Sequence, residues 1–337
     1  MKKVITLTLK IGASVGLYAY IFRKVDIAHL WLTIKEARAS YVIWAILIYF
    51  VVQGLSAYRW YVLLKPLGIK VPFAKVLAIY FVGMYSNLFL PGAAIGGDVV
   101  RIYYLNKEVR NLSGATATVF LDRDFGLGAL LMISTAAAFA AGIGFSGVPL
   151  GPLFAAMLLG FSAINVALFY RPTYNLFHKL LRLLRLKRSD EKVERLFQSV
   201  NSYRGDYGVI TAASVLSVLI QFGGIIVNIV AGAGIGIHTH SGVVDYLVFI
   251  PAISLIGMNP LGINGMGWRE WAYIILFTSA GAQKPAAVAL ALLWLAVLVI
   301  TSLPGGIIYI MQGAGKARPD PQPVNPDLRT DAVSSDL

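Results

Sequence analysis

Cysteine is absent from all 337 residues, so no disulfide framework, thiolate metal site or cysteine nucleophile has to be considered, and the redox compartment cannot be read. Charge is scarce as well: 13% of residues are Asp, Glu, Lys or Arg, against about a quarter in soluble domains. Acids are the scarcer sign, 16 against 29 basic residues, giving a net charge of +13. The short alternating segments of a membrane β-barrel are missing. So are the Walker A and His-Glu-x-x-His sequences, and ATP hydrolysis by this chain alone is not expected.

What remains is apolar. The hydrophobic fraction is 58% and the mean hydropathy +0.72, values that fit a bilayer as solvent. Five runs, 41–64, 125–141, 150–170, 209–231 and 286–311, are long enough to cross roughly 30 Å of hydrocarbon at 1.5 Å per residue. They are expected to be helices, because lipid offers backbone groups no partners. Lys2 and Lys3 followed by the apolar run 4–22 imitate a secretory signal, but no small-x-small cleavage site leads into a soluble domain, so this run reads as a first membrane helix. The expected fold class is all-α, a polytopic helical bundle of about eight membrane elements over residues 1–315. The tail 316–337, rich in Pro and Asp, is expected to be disordered, and no soluble catalytic domain is expected.

Most basic residues flank the apolar runs, which points to orientation against anionic lipid rather than to nucleic acid. Nine Lys or Arg against four Asp or Glu lie between Arg171 and Asp206, the strongest cytoplasmic marker in the chain. Phe177, Leu180, Leu181 and Leu184 recur there at helical spacing among Lys179, Arg182 and Arg185, as in an amphipathic helix on the inner leaflet. The connectors 146–151 and 237–242 carry no Lys or Arg and are expected outside. Lys2 and Lys3 place the N-terminus inside, and Lys316 and Arg318 the C-terminus. The loop 23–40 disagrees: it is net positive where this topology puts it outside.

Two apolar stretches are interrupted by Gly and Pro with charges alongside. Stretch 73–104 breaks at Leu90-Pro91-Gly92-Ala93-Ala94-Ile95-Gly96-Gly97-Asp98-Val99-Val100-Arg101 and has to begin and end inside. Stretch 243–280 breaks at Asn259-Pro260-Leu261-Gly262-Ile263-Asn264-Gly265-Met266-Gly267-Trp268-Arg269-Glu270 and has to begin and end outside. Each reads as a re-entrant hairpin or a close pair of spans. Both place Pro, then Gly, then an acid and an Arg within about one helical turn, in opposite orientations. That is the trace of an inverted repeat, whose broken helices meet near the midplane and form a polar site.

Asp98 and Arg101, three residues apart, share a helix face and can neutralise one another. Pro91 and Gly92 stop a helix arriving from Phe73, while Gly96 and Gly97 let the backbone approach another group closely. Amides opening the second half-helix, with Arg101, can face an anionic headgroup; a capped cytoplasmic turn is the plainer alternative. A helix starting near Ser113 carries Arg123 about ten residues, roughly 15 Å, inward. A charge there costs on the order of 2.5–3.5 kcal/mol unless it is paired, and Asp122, Asp124 or the hairpin carrying Asp98 can pair it. Alternatively, Asp122, Arg123 and Asp124 sit in the inner headgroup layer. Arg269 and Glu270 point about 100° apart on a helix and serve different partners, although an outer turn anchored by Trp268 and Trp271 fits as well. Arg59, beside Tyr58, Trp60 and Tyr61, either joins the polar path or snorkels to the inner face.

Two catalytic patterns fail on context. Gly12-Ala13-Ser14-Val15-Gly16 matches a nucleophile elbow but sits in an apolar run without strand-turn-helix surroundings. His238-Thr239-His240 offers two metal ligands and no third.

Taken in order, Tyr58-Arg59-Trp60, Phe89-Leu90-Pro91-Gly92 with Gly96-Gly97-Asp98 and Arg101, Asp122-Arg123 with Gly126, and Gly262 through Gly267-Trp268-Arg269-Glu270 resemble the flippase-like membrane region of bacterial lysylphosphatidylglycerol synthases and their stand-alone relatives. The resemblance extends to about Gly315. It implies a polyhelical inner-membrane protein that moves an anionic or modified phospholipid, or a lipid-linked molecule, between leaflets. Aminoacyl transfer from tRNA belongs to a soluble domain of the full synthases and is not expected. The candidate lipid-contacting set is Arg59, Pro91, Gly96, Gly97, Asp98, Arg101, Asp122, Arg123, Asn259, Gly262, Gly267, Arg269 and Glu270. A lipid translocator without enzymatic activity is the leading expectation, with no cofactor and no metal, and with anionic membrane lipids as partners. A lipid-modifying enzyme using Asp98 or Asp122 as a base, and a scaffold docking a partner through 171–204, stand as alternatives. A homodimer stays open.

Overall fold

The computed structural model describes residues 23, 27–89, 96–145, 147–169, 197–258 and 265–313. The run 4–22, the centres of both Gly/Pro breaks (with Pro91, Asn259 and Gly262), most of the basic segment 171–206 and the tail lie outside the described residues. The described helices are α1 (Ile27–Lys35), α2 (Ala39–Leu64), α3 (Phe73–Phe89), α4 (Gly96–Val109), α5 (Leu112–Ala141), α6 (Leu150–Phe169), α7 (Tyr207–Gly234), α8 (Val243–Gly257), α9 (Trp268–Ser279) and α10 (Lys284–Gly313). A two-residue antiparallel ribbon, Gly144–Phe145 with Val148–Pro149, joins α5 to α6. The bundle is all-α, as the apolar runs require.

Helices α2, α5, α7 and α10 are each long and apolar enough to cross a membrane. Two of these starts are set by a side-chain cap: the Asn111 side chain accepts from the Gly114 amide at 2.9 Å ahead of α5, and the Asp206 side chain accepts from the Val209 amide ahead of α7. Gly142, left-handed at φ +60, ends α5. α5 thus begins at Leu112, one residue from the expected start near Ser113, and carries Asp122 and Arg123 inside it.

Helix α2 runs antiparallel to α7. The Arg38 amide donates to the Gly234 carbonyl (2.9 Å) at one end, and the Tyr203 hydroxyl donates to the Leu63 carbonyl at the other. Lipid gives apolar side chains no reason to leave it, so close fit between helices supplies the cohesion. Small residues make that fit: a Cβ on Gly223 would run into Val52, and one on Gly234 into Tyr41.

The interrupted stretches are hairpins. Arms α3 and α4 pack together, with Lys75 paired to Glu108 at their open end, close to the end of α2 and the start of α5. Arms α8 and α9 pack together, their open end closed by the His240 amide on the Ala280 carbonyl (2.8 Å), close to the end of α7 and the start of α10. Because α2 and α7 are antiparallel, the end of α2 and the end of α7 are opposite ends of the bundle. The two hairpins therefore enter from opposite ends. Their arms hold 17, 14, 15 and 12 residues, about 18–26 Å each, against 26–30 residues in the four long helices.

Helix α10 serves both hairpins. Its first turns pack on α9 and α1, where Leu30, Ile274, Val288 and Ala289 form a buried cluster. Further along it packs on α3, and a Cβ on Gly305 would collide with the Phe81 carbonyl. Pro304 lies within it. The stretch 23–40, read from its charge as a plain loop, contains α1: Ile27, Leu30, Trp31 and Ile34 recur at helical spacing, and Leu30 is buried.

Candidate functional site

At the centre of the bundle three helices contribute to one ion-pair network, and a fourth joins it by a hydrogen bond. Asp122 on α5 is 2% exposed and holds two arginines: Arg59 of α2 donates Nε to Oδ1 at 2.9 Å, and Arg101 of α4 donates Nη2 to Oδ2 at 2.8 Å. Arg59 also donates Nη1 to the Ser217 hydroxyl of α7 at 2.8 Å. Arg59 is thus turned inward, and the snorkelling alternative does not describe it. Gly126, one turn after Asp122, leaves room beside the Arg59 guanidinium, and its carbonyl accepts from Gln221 Nε2 at 2.9 Å.

The Arg101 guanidinium lies 4.2 Å from the Trp60 ring and 4.7 Å from the Tyr80 ring, so two aromatic faces fix its plane. Trp60 is held by its own Nε1 donation to Thr118. Arg101 sits only 3.7 Å from Asp98, outside hydrogen-bond distance, so the neighbours expected to neutralise one another do so weakly. Asp98 instead accepts a two-bond fork from Arg123, Nε to Oδ2 at 2.9 Å and Nη2 to Oδ1 at 3.0 Å, which ties the hairpin to α5. Asp124 points elsewhere and accepts from Asn165 of α6 at 3.1 Å.

Backbone packing places Arg101. A Cβ on Gly97 would collide with the Gly83 carbonyl, and its amide donates to Asn87 Oδ1 at 2.6 Å. Only glycine allows the arms α3 and α4 to approach this closely. Gly96 meets no such neighbour. In the second hairpin Gly267, at φ +85, opens α9, and its amide donates to Glu270 Oε2 at 2.6 Å. Arg269 Nη2 lies 3.7 Å from Glu270 Oε1. Among the described residues, Arg101 Nε, Arg269 Nε and Nη2, and Glu270 Oε1 are buried without a hydrogen-bond partner.

These groups surround a cavity of about 330 Å³, which adjoins a second of about 210 Å³. Arg101, Arg123 and Arg269 line both, and Arg59 and Asp122 line the larger. Arg123 keeps 47% of its side-chain surface open, and that surface faces the cavity. The walls also contain residues that flank each break: Asn87 and Arg101 for the first hairpin, Met258 and Arg269 for the second. Residues flanking the breaks of the two oppositely oriented hairpins therefore line one polar chamber. Gln53, Tyr80, Asn87 and Gln221 were not singled out in the sequence; single amides within apolar helices were the available signal. Among the described residues no group of three His, Asp or Glu is placed to hold a metal ion, and His238 and His240 do not line this chamber.

Comparison with known proteins agrees with this architecture. A stretch of 90 residues is 36% identical to a UPF0104 membrane protein of Pyrococcus horikoshii, covering 26% of this chain and 27% of that one. A stretch of 91 residues is 33% identical to a UPF0104 membrane protein of Methanothermobacter thermautotrophicus, covering 27% of each. The alignments thus reach about a quarter of each relative's length. No solved structure matches the chain. Residues 7–305 match the family described as the lysylphosphatidylglycerol synthase TM region. That match takes in every helix that contributes to the network and the chamber, and the chain belongs to this family of multi-pass membrane proteins.

Proposed function

We propose that the protein is a lipid translocator of the inner (plasma) membrane that moves an anionic or modified phospholipid, or a lipid-linked molecule, between leaflets. One observation carries the reading: residues flanking two helix breaks, on hairpins entering from opposite ends, line a single chamber furnished with arginines. A phosphate leaving the headgroup layer needs fixed positive charge along its path, and broken helices that meet inside a bundle are where transporters place such sites. Arginine suits the task, being always charged and able to hold phosphate oxygens with two parallel bonds. On this reading the chain works as a carrier and not as an enzyme, and Asp122 holds arginines in place instead of acting as a base. Membership of a family described as a lipid synthase membrane region supports a lipid as the cargo.

The test is movement of headgroup-labelled lipids in reconstituted vesicles at matched protein content. Arg101→Lys and Arg123→Lys keep the charge and lose the planar fork, so both should slow translocation, by on the order of tenfold or more for a lost charge-assisted contact. Arg38→Lys, just before the start of α2 and not among the residues lining the chamber, is the control. If both chamber variants move lipid as fast as the parent, the role given to these arginines is wrong.

A further inference from the structure

The turn from α2 into α3 encloses another cavity, which shares no lining residue with the chamber. It measures about 490 Å³, a size typical of small-ligand sites. Gly68, left-handed at φ +64, folds the chain back at the end of α2: its amide donates to the Lys65 carbonyl (3.0 Å), and the Ile69 amide donates to the Leu64 carbonyl (3.3 Å). That reversal sets Lys65 and Lys70 on the wall of one cavity. Both are exposed, and among the described residues neither has a carboxylate within ion-pair distance. Glu108, the acid at the open end of the first hairpin, is already held by Lys75 (2.5 Å). The Lys65 ammonium lies 6.0 Å from the Tyr61 ring centroid, at the limit of cation–π reach, so it too is weakly engaged. The floor of the cavity is apolar. Val71 is buried in the cluster that holds Trp60, Leu64, Val76 and Leu105, and Tyr61 and Ile69 pack against that cluster. Tyr61 meets Phe73 edge-on at 5.6 Å, Phe73 meets Tyr58 at 5.9 Å, and Tyr58 and Phe73 are exposed. Since α2 is long enough to cross the membrane, the lysines just past its end stand at headgroup depth and the aromatic residues where acyl chains begin.

We propose that this pocket holds a net-anionic phospholipid of the surrounding leaflet as a resident lipid, separate from any lipid in the chamber, with its phosphate between Lys65 and Lys70 and its acyl chains along Tyr61, Phe73 and Tyr58. Two ammonium groups without acid partners supply the counter-charge as point charges, which hold a phosphate without demanding one geometry. The apolar floor and the aromatic flank offer contact that a free phosphate has no means to use. A zwitterionic lipid brings a cation of its own to the lysines and is disfavoured. The floor is the cluster that carries Trp60, and Trp60 stacks on Arg101, so an occupied pocket braces the wall behind the ion-pair network. The resident lipid is held whether or not the chain moves lipid.

The test reconstitutes the full chain in vesicles that contain photoactivatable phosphatidylglycerol or its phosphatidylcholine analogue, each with a diazirine near the head end of one acyl chain, and maps the labelled residues by mass spectrometry. Phosphatidylglycerol should label residues 58–73 on the order of tenfold or more above phosphatidylcholine, and added salt should weaken that label. Lys65→Gln combined with Lys70→Gln should reduce the phosphatidylglycerol label by a similar factor, whereas Lys65→Arg combined with Lys70→Arg should keep it. In both, labelling of chamber residues should change by less than about twofold. Lys70→Gln alone, in an exposed turn, serves if the double variant does not fold, and should lower the label severalfold. No phosphatidylglycerol label within 58–73, or an equal label from phosphatidylcholine, overturns the site. A label that survives loss of both lysines overturns their role. Inorganic phosphate displacing the label as well as unlabelled phosphatidylglycerol does overturns a lipid as the ligand. A lysine-dependent label in a chain that moves no headgroup-labelled lipid keeps the resident lipid and refutes translocation, whereas translocation with no label at 58–73 does the reverse.

Discussion

Asp122 is shared by two buried arginines, so Asp122→Asn strands two positive charges at once. Arg59 and Arg101 are 6% and 4% exposed, and the nearest remaining carboxylate to Arg101 is Asp98 at 3.7 Å. Removing one partner of a buried ion pair costs about 3–5 kcal/mol, a large share of the roughly 5–15 kcal/mol that holds a typical protein folded. At about 2–4 °C per kcal/mol this lowers the apparent melting temperature by roughly 6–20 °C. Arg59→Met leaves Asp122 and Arg101 as a one-to-one pair and should cost less. Asp98→Asn releases Arg123, whose side chain opens into the chamber and can be hydrated there, so its cost falls near that of an exposed pair, about 0–1 kcal/mol. The assay is thermal challenge of detergent-solubilised protein with size-exclusion readout at one heating rate, because unfolding of such proteins is commonly irreversible. An Asp122→Asn variant melting within about 2 °C of the parent, or below which Asp98→Asn melts, refutes the claim that the shared carboxylate holds the centre together.

Gly97→Ala puts a methyl against the Gly83 carbonyl and should destabilise the first hairpin by about 1–3 kcal/mol and impair transport, whereas Gly96→Ala, with open space around it, should melt like the parent. Single cysteines in this naturally Cys-free chain report sidedness: Lys75→Cys and Ser241→Cys, at the open ends of the two hairpins, should label from opposite faces of the membrane, and labelling from one face would break the inverted arrangement. Gln221→Leu removes the tie from α7 to the Gly126 carbonyl and should slow translocation less than Arg101→Lys does, measured in the same vesicle assay.

Much of the architecture could be read before any coordinates, because long apolar runs in lipid admit few structures and the Lys and Arg bias separates the ends of each span. The opposite orientation of the hairpins followed from Arg171–Asp206 and from the uncharged connectors. The pairing did not. A three-residue spacing licenses Asp98 and Arg101 to meet, yet a closer acid on another helix took Arg101 and left Asp98 to Arg123. Local periodicity states which residues share a face and is silent about what the fold brings to that face. Arg59 shows the same limit: its length permits snorkelling, and the partners that turn it inward lie 63 and 158 residues away. Helix α1 escaped notice because it is nine residues long and sits among basic residues that draw the eye to charge.

Helix α10 touches both hairpins, and that fixes how they can move relative to one another. Gly305 is seated so tightly on the Phe81 carbonyl that the first hairpin cannot slide along it, while the other half of the same rod is clamped to α9. Pro304, one residue away, has no amide hydrogen to give to the preceding turn, which makes it the cheapest place for the rod to bend. A tilt there swings one hairpin against the other while both clamps stay shut. On the translocator reading, a bend at Pro304 would let the two hairpins tilt against one another, each still held to its own part of the rod.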